Sequence, residues 1–346
     1  MSIFLVSMAG YVFAEVISSD KTEVSIMTFN VENLFDNIDD PGKTDETFLA
    51  LKDKQSATHK QECGKISVER WRYQCLFWDW NDAVLDKKLR VIAASIRQVG
   101  EGRGADIIAL QEVENIRILE RLRENYLGGL GYQPAILVEG RDRRGIDVAF
   151  LSRLPVSGVA LHDIPFPNTG ESRVQDTRGI LEATFELSDG EKLVGFAVHF
   201  PAPYHPTFMR EMAYHKLSRL KAALDAGQPA FAAGDFNTTS EEDKNKKMLS
   251  RLVKPDWQVV HENCDGCKGT SYYPPKDDWS FLDMILWSKG DSAWRMNTGS
   301  VLIANTTSAQ VTHQGTPARF ELPEGAGVSD HWPLVFTITL PDQAGI

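Results

Sequence analysis

The chain has 346 residues, of which 42% are hydrophobic and 25% charged, with a formal net charge of −11. This composition excludes a disordered chain and is sufficient for a substantial core, in one large domain or two ordinary ones. The acidic balance excludes a protein that coats nucleic acid by charge. It does not exclude an enzyme that meets a polyanion at one site through a bound cation.

Residues Ile3 to Phe13 form an apolar stretch too short to cross a bilayer as a helix. Val12-Phe13-Ala14 supplies the small residues that precede a signal-peptidase cut, although no Lys or Arg stands in front. Residues 1–14 are therefore expected to be a signal peptide, which places the mature chain in the periplasm or outside the cell. A buried N-terminal strand is the competing reading. One domain is expected over 21–342, because apolar runs and amphipathic stretches alternate without a linker or repeat.

Val24 to Val31 reads as a strand whose end carries Asn30 and Glu32, two oxygen donors suited to a hard cation. Taken alone, such residues more often only begin a turn. Residues 37–80 are polar, aromatic and cysteine-bearing and read as an insertion. Its Trp71, Tyr73, Phe77, Trp78 and Trp80 are expected to bury against the helix that follows; left exposed, they could touch a lipid surface. Cys63 and Cys75 pair most economically with each other, and Cys264 with Cys267, in an oxidising compartment. A zinc site wants a second CxxC or a His pair, and only His261 is near.

The spacing of Val84, Leu85, Leu89, Ile92 and Ile96 predicts a helix over 83–99. Residues 106–110 form an apolar strand that delivers Gln111-Glu112 into a loop. A second helix follows over 115–127, with Ile116, Leu119 and Leu122 inward. Strands are expected at 133–138, 147–152, 178–187 and 192–198. Asp147 starts the second of these, Arg178 the third, and His199 closes the fourth. Met209, Met212, Ala213, Leu217, Leu220 and Leu224 mark a third helix after Pro206. Strands return at 229–233, 280–287 and 332–340.

The late strands carry the most specific motifs. Gly234 in Ala233-Gly234-Asp235-Phe236-Asn237 permits close approach of another backbone, and Asp235 and Asn237 share one side two residues apart. Asp283 lies within an apolar run, where a charge is costly unless paired. His331, in Ser329-Asp330-His331, is the partner expected for it: such a carboxylate fixes the imidazole tautomer and raises its pKa. The polar residues sit at the ends of apolar runs, where open sheets place ligand groups.

The ordered set Phe29-Asn30, Gln111-Glu112, His199, Gly234-Asp235-Phe236-Asn237, Asp283 and Ser329-Asp330-His331 spans nearly the whole mature chain. It resembles the endonuclease/exonuclease/phosphatase superfamily, which includes pancreatic-type deoxyribonucleases, apurinic endonucleases, inositol polyphosphate phosphatases and bacterial sphingomyelinases. The resemblance implies a four-layer α/β/β/α sandwich: two mostly antiparallel β-sheets packed face to face, with helices outside. It implies that Glu112 holds Mg²⁺, with Asn30 and Asp330 beside it, and Mn²⁺ suits the same oxygen ligands. Asp235 would orient or deprotonate the attacking water, and Asn237 would help bind phosphate. His331, supported by Asp283, would stabilise the pentavalent phosphorus or pass a proton. His199 would contact phosphate or the leaving oxygen. Arg178 is similar to a phosphate-binding residue, and Asp147 would support His199 or cap a turn.

Glu32 is not part of the broad pattern, which weakens its case as an additional ligand. The Phe200-Pro201-Ala202-Pro203 segment and the loop from Cys264 to Tyr273 also depart from it, and loops of this kind encode substrate choice. The expectation is an exported, monomeric nuclease acting on DNA or RNA. The alternative is a phosphatase or phospholipase C-like enzyme acting on a small or lipid phosphoester. A catalytically silent binding protein is disfavoured by the intact Glu112, Asp235, Asn237, Asp283 and His331.

Overall fold

A computed structural model describes residues 22–167 and 177–341. The expected signal peptide, residues 1–14, lies outside the described residues. From the N-terminus, β1 (Glu23–Leu34) leads through α1 (Ala57–Gly64) and α2 (Glu69–Phe77) to α3 (Asp82–Ile96), β2 (Ile107–Val113) and α4 (Ile116–Asn125). Four strands follow: β3 (Ile136–Leu137), β4 (Asp147–Ser152), β5 (Val156–His162) and β6 (Ile180–Glu186). β7 (Lys192–His199) precedes α5 (Thr207–Ala222), and β8 (Ala230–Asp235) precedes α6 (Ser240–Lys246). The chain closes with β9 (Trp257–Val259), β10 (Ser271–Tyr273), β11 (Asp278–Ser280), β12 (Asp283–Ser288), β13 (Arg295–Ile303) and β14 (Leu334–Thr339).

Two six-stranded sheets result, ordered β13-β14-β1-β2-β4-β3 and β5-β6-β7-β8-β12-β9, with β10 and β11 as a separate ribbon. Each large sheet has one parallel pair, β1 with β2 and β7 with β8, and every other pairing in it is antiparallel. Ile26, Ile107 and Phe336 of the first sheet share one core with Phe185, Phe231 and Ile285 of the second. The opposite face of the first sheet packs Met27, Phe29 and Leu110 on Leu85, Leu89 and Ile92 of α3 and Leu119 of α4. The opposite face of the second packs Val194 and Phe196 on Ala213 and Leu217 of α5. The expected four layers are thus present.

Local chemistry sets the outer helices. The Asn81 side chain accepts from the N–H groups of Ala83 and Val84 at the start of α3, and Asn115 accepts from Ile118 N–H at the start of α4. Between β1 and α3, α1 and α2 are stapled by a Cys63–Cys75 disulfide, and Cys264 pairs with Cys267, as the spacing suggested. Burial of the aromatics here is overturned for three of them. Trp71, Tyr73 and Phe77 are 58%, 59% and 57% exposed, whereas Trp80 is buried. The short α2 has only Cys75 fully buried, so its other side chains have no second layer to pack against.

Strand alternation then places the polar residues. Successive strand side chains point to opposite faces, so residues two apart share one. Ile26 faces the inter-sheet core, and four residues on so does Asn30. By the same count Ala197 leads to His199, Ala233 to Asp235, and Ile285 back to Asp283. His199 and Asp283 are both directly opposite Asp235 in the sheet register. Three chemically active side chains therefore form one row between the sheets, at the end where the apolar core stops.

Candidate active site

Gly234 makes that row possible. Its φ is +155°, and a Cβ there would sit 1.9 Å from the carbonyl oxygen of Val198 in the parallel neighbour. The absent side chain lets β7 and β8 close up so that His199 and Asp235 meet. Near the strand ends the chain turns sharply, with positive φ at Glu32 and Asn33 in β1, at Glu112 in β2 and at Asn237 just after β8. Such conformations cost on the order of 1–3 kcal/mol each for non-glycine residues and persist only where the surroundings hold them. Hydrogen bonds do so here: Glu32 N–H donates to Asn30 Oδ1, Asn33 N–H to Glu112 Oε2, and Asn237 N–H to Asp235 Oδ1. The turn at Glu112 breaks the β2 register between Gln111 and Val113. This sets the Glu112 carboxylate beside the row, with Oε1 3.9 Å from His199 Nε2.

Asp235 is the hub. Its Oδ2 accepts from Asn30 Nδ2 at 3.1 Å and lies 3.5 Å from His199 Nε2. Asn237 is held at the same tip by its amide, which donates to Phe200 O at 2.9 Å. His331 Nδ1 donates to Asp283 Oδ2 at 2.6 Å, and its Nε2 lies 3.9 Å from Asp330 Oδ1. The loop before β14 delivers His331: Ser329 Oγ donates to Asn30 O and accepts from His331 N–H.

The two imidazoles are driven in opposite directions. Burial lowers the His199 pKa well below its usual value, and the guanidinium groups of Arg178 and Arg144 lower it further. Burial also opposes charge on His331, but the carboxylates of Asp283 and Asp330 prevail and hold it well above. His199 is therefore neutral and His331 an imidazolium at neutral pH. Burial pushes Asp235 up to about 7, against the pull of the His331 charge. The site thus contains a neutral imidazole, a cationic imidazole and a carboxyl group that burial makes more basic than an ordinary aspartate.

The exposed side of the row offers oxygen donors to a cation. Glu112 and Asp330 carry carboxylates that are not fully buried, the ligand chemistry of a hard divalent ion. The Asn30 amide is buried and bonded to Glu32 N–H and Asp235. Single atoms of Asp235, Asp283 and His331 also lie within 4.8 Å of one another. Asp283 Oδ2 and His331 Nδ1 are already bonded to each other, whereas Glu112 Oε1 makes no hydrogen bond among the described residues. Glu112 is accordingly the better first ligand.

The remaining sequence candidates fall beside the row. Arg178 is buried, and its Nη1 donates to Asp142 Oδ2 at 2.9 Å while its Nε has no partner. Asp147 bonds the turn at Gly140 through one carboxylate oxygen, Oδ1, and its other oxygen and His199 Nδ1 are both buried and unpaired. The Glu32 carboxylate is bonded outside the row. It accepts from Arg319 Nε at 2.6 Å, from Phe320 N–H and from Asp330 N–H, so it anchors the loop that carries Asp330 and His331.

Two residues of this anchor escaped the sequence reading. Arg319 also pairs with Asp330 at 3.1 Å. Lys88 is fully buried and donates to Val328 O at 2.7 Å; burial lowers its pKa to about 8, against the pull of Glu32 and Asp330. Helical spacing held a signal for Lys88, three residues after Leu85 and four before Ile92 on the buried face of α3. A lysine at a core position of a helix needs a partner.

The sequence model of the Endonuclease/Exonuclease/phosphatase family matches residues 27–331. No curated protein matches the chain. Among solved structures it is similar to an endonuclease/exonuclease/phosphatase family protein from Bacteroides thetaiotaomicron. The TM-score is 0.57 at 16% identity, over 93% of this chain and 99% of that one. It is similar to D. rerio TDP2 humanized by 14 mutations, with a TM-score of 0.57 at 14% identity, over 92% and 99% of the two chains. A mannosyl-6-phosphatase from B. thetaiotaomicron gives a TM-score of 0.52 at 16% identity, over 91% and 99%. At these identities the likeness is one of fold.

Proposed function

Because this chain belongs to the endonuclease/exonuclease/phosphatase family of phosphoesterases, which are generally metal-dependent, we propose that it is an exported nuclease hydrolysing phosphodiester bonds of DNA or RNA with Mg²⁺ or Mn²⁺. The observation that carries this reading is the convergence of Glu112, His199, Asp235 and the Asp283–His331 pair at one end of the inter-sheet core.

Glu112, with Asn30 and Asp330 beside it, would hold the cation, whose charge would neutralise the phosphoryl oxygens. Asp235 is oriented by Asn237 N–H and the Asn30 amide and takes the proton of a water attacking in line. The His331 imidazolium, fixed by Asp283, donates to a phosphoryl oxygen as negative charge grows there. Neutral His199 contacts the phosphate or the leaving oxygen, and Asn237 and Arg178 bind phosphate oxygens. The net charge of −11 does not oppose this, because the substrate is met locally by a cation and an imidazolium.

A second reading, hydrolysis of a small or lipid phosphoester, uses the same groups. The mannosyl-6-phosphatase among the similar structures favours it, as do the exposed Trp71, Tyr73 and Phe77. Purified protein offered plasmid DNA, RNA, sphingomyelin and phosphorylated inositols, with Mg²⁺ and then with a chelator, separates the two. Chelator-sensitive nicking of plasmid or breakdown of RNA supports the nuclease. Release of a lipid headgroup or of inorganic phosphate alone rejects it for the second reading.

A further inference from the structure

A second group of carboxylates lies outside the catalytic row. The loop after β1 carries Asp36, Asp40 and Asp45, and β2 runs on into Glu114. One carboxylate oxygen each from Asp40, Asp45 and Glu114 lies within 4.8 Å of the other two. Asp45 and Glu114 are only 2% and 3% exposed, which rules out water as the medium that screens them.

The hydrogen bonds around this group leave one gap. Asp36 Oδ1 accepts from Ile38 N–H, and its Oδ2 accepts from Arg117 Nε and Asn115 Nδ2. Asp40 accepts from Arg117 Nη2 at 2.7 Å and from Asn115 Nδ2 at 3.2 Å. Glu114 Oε2 accepts from Asp36 N–H at 2.7 Å, and Asp45 Oδ2 from Asp40 N–H at 2.9 Å. Asp45 Oδ1 is buried with no partner. The only guanidinium bonded to the group, among the described residues, is that of half-exposed Arg117, and it is committed to Asp36 and Asp40. No ammonium or guanidinium pairs with Asp45 or Glu114 among the described residues. A buried carboxylate with one unpaired oxygen, close to two further carboxylates, is costly unless a cation joins them.

We propose that Asp40, Asp45 and Glu114 form a second divalent-cation site, suited to Ca²⁺, in which the buried Asp45 Oδ1 is a ligand. Oxygens this far apart fit around one ion with ligand distances of about 2.3–2.6 Å, and irregular loop-borne carboxylates suit calcium better than the strict octahedron of Mg²⁺. The site is separate from the catalytic one, since Glu112 turns its carboxylate toward His199 and Asn33. It ties the loop after β1 to the chain two residues beyond Glu112. It also braces the start of α4 through Asn115, which caps that helix and donates to Asp36 and Asp40.

The full chain, freed of metal with EDTA and dialysed, is melted during titration with CaCl₂ as wild type and as Glu112→Gln, which removes the catalytic cation ligand. Saturating Ca²⁺ is expected to raise the melting temperature of both by roughly 5 °C. Asp45→Asn or Glu114→Gln in the Glu112→Gln background abolishes that rise. Terbium serves as a luminescent probe that needs no further variant. The Trp80 indole N–H donates to Phe35 O at 3.1 Å, one residue from Asp36, so excitation of tryptophan in Glu112→Gln sensitises terbium emission that Ca²⁺ competes away. A melt of Glu112→Gln that ignores Ca²⁺, a rise that survives both carboxylate substitutions, or absent terbium emission overturns the proposal in favour of a shared proton.

Discussion

Asp283 Oδ2 lies 2.6 Å from Nδ1 of His331, although 48 residues separate them in the chain. The carboxylate is fully buried at the first position of β12, and its backbone N–H donates to Thr270 Oγ1. Asp283→Asn removes the charge while keeping the shape. The His331 pKa should then fall toward its ordinary value near 6.5, read by an NMR titration of its ring protons, and turnover at pH 8 should drop by roughly 100-fold. A His331 that stays fully protonated at pH 8 in this variant would mean that Asp283 is not what holds the charge.

Gly234 is predicted to be irreplaceable for reasons of space. In Gly234→Ala the new methyl meets Val198 O at 1.9 Å, and backbone carbonyls cannot swing aside as a long side chain can. Parting β7 from β8 should cost roughly 3 kcal/mol or more in a urea melt, and it also separates His199 from Asp235. A variant with unchanged midpoint would show that the two strands do not approach as described.

Asp147 sets a pH dependence of stability. Burial raises its pKa from 3.8 to about 7 in the folded chain, so the folded state keeps a proton that the unfolded state has released. Stability from this group is full below about pH 4, declines as pH rises through that window, and is lost by about pH 7. Asp147→Asn can still accept from Gly140 N–H through its Oδ1. It should match the wild type at pH 4 and exceed it by roughly 2–4 kcal/mol at pH 8 in denaturant melts. Equal stability at pH 8 would mean that Asp147 titrates normally.

Much of the fold and of the site could be read from the sequence, because both rest on strand periodicity. An apolar run of alternating faces fixes which side its last residue takes. That His199, Asp235 and Asp283 serve one site was implied by the family resemblance, and the strand register sets His199 and Asp283 opposite Asp235. Elements with weak contrast were not legible. β13 presents no fully buried residue and reads as loop, and β9 is only three residues long. The partners of Glu32 were hidden for another reason. Arg319 is 287 residues away, and no local pattern announces a pair made entirely by tertiary folding. The exposure of Trp71, Tyr73 and Phe77 was hidden likewise, since an aromatic-rich stretch does not state whether a layer will cover it.

Turnover of the wild type and of Asp235→Ala, on whichever phosphoester the wild type cleaves in Mg²⁺, tests the central claim most directly. Asp235 joins the second sheet to Asn30 of the first and lies beside His199, so one residue samples the whole convergence. The account predicts a loss of at least ~100-fold with an unchanged circular dichroism spectrum, and the same for His331→Ala. A folded Asp235→Ala variant that turns over as fast as the wild type would contradict it.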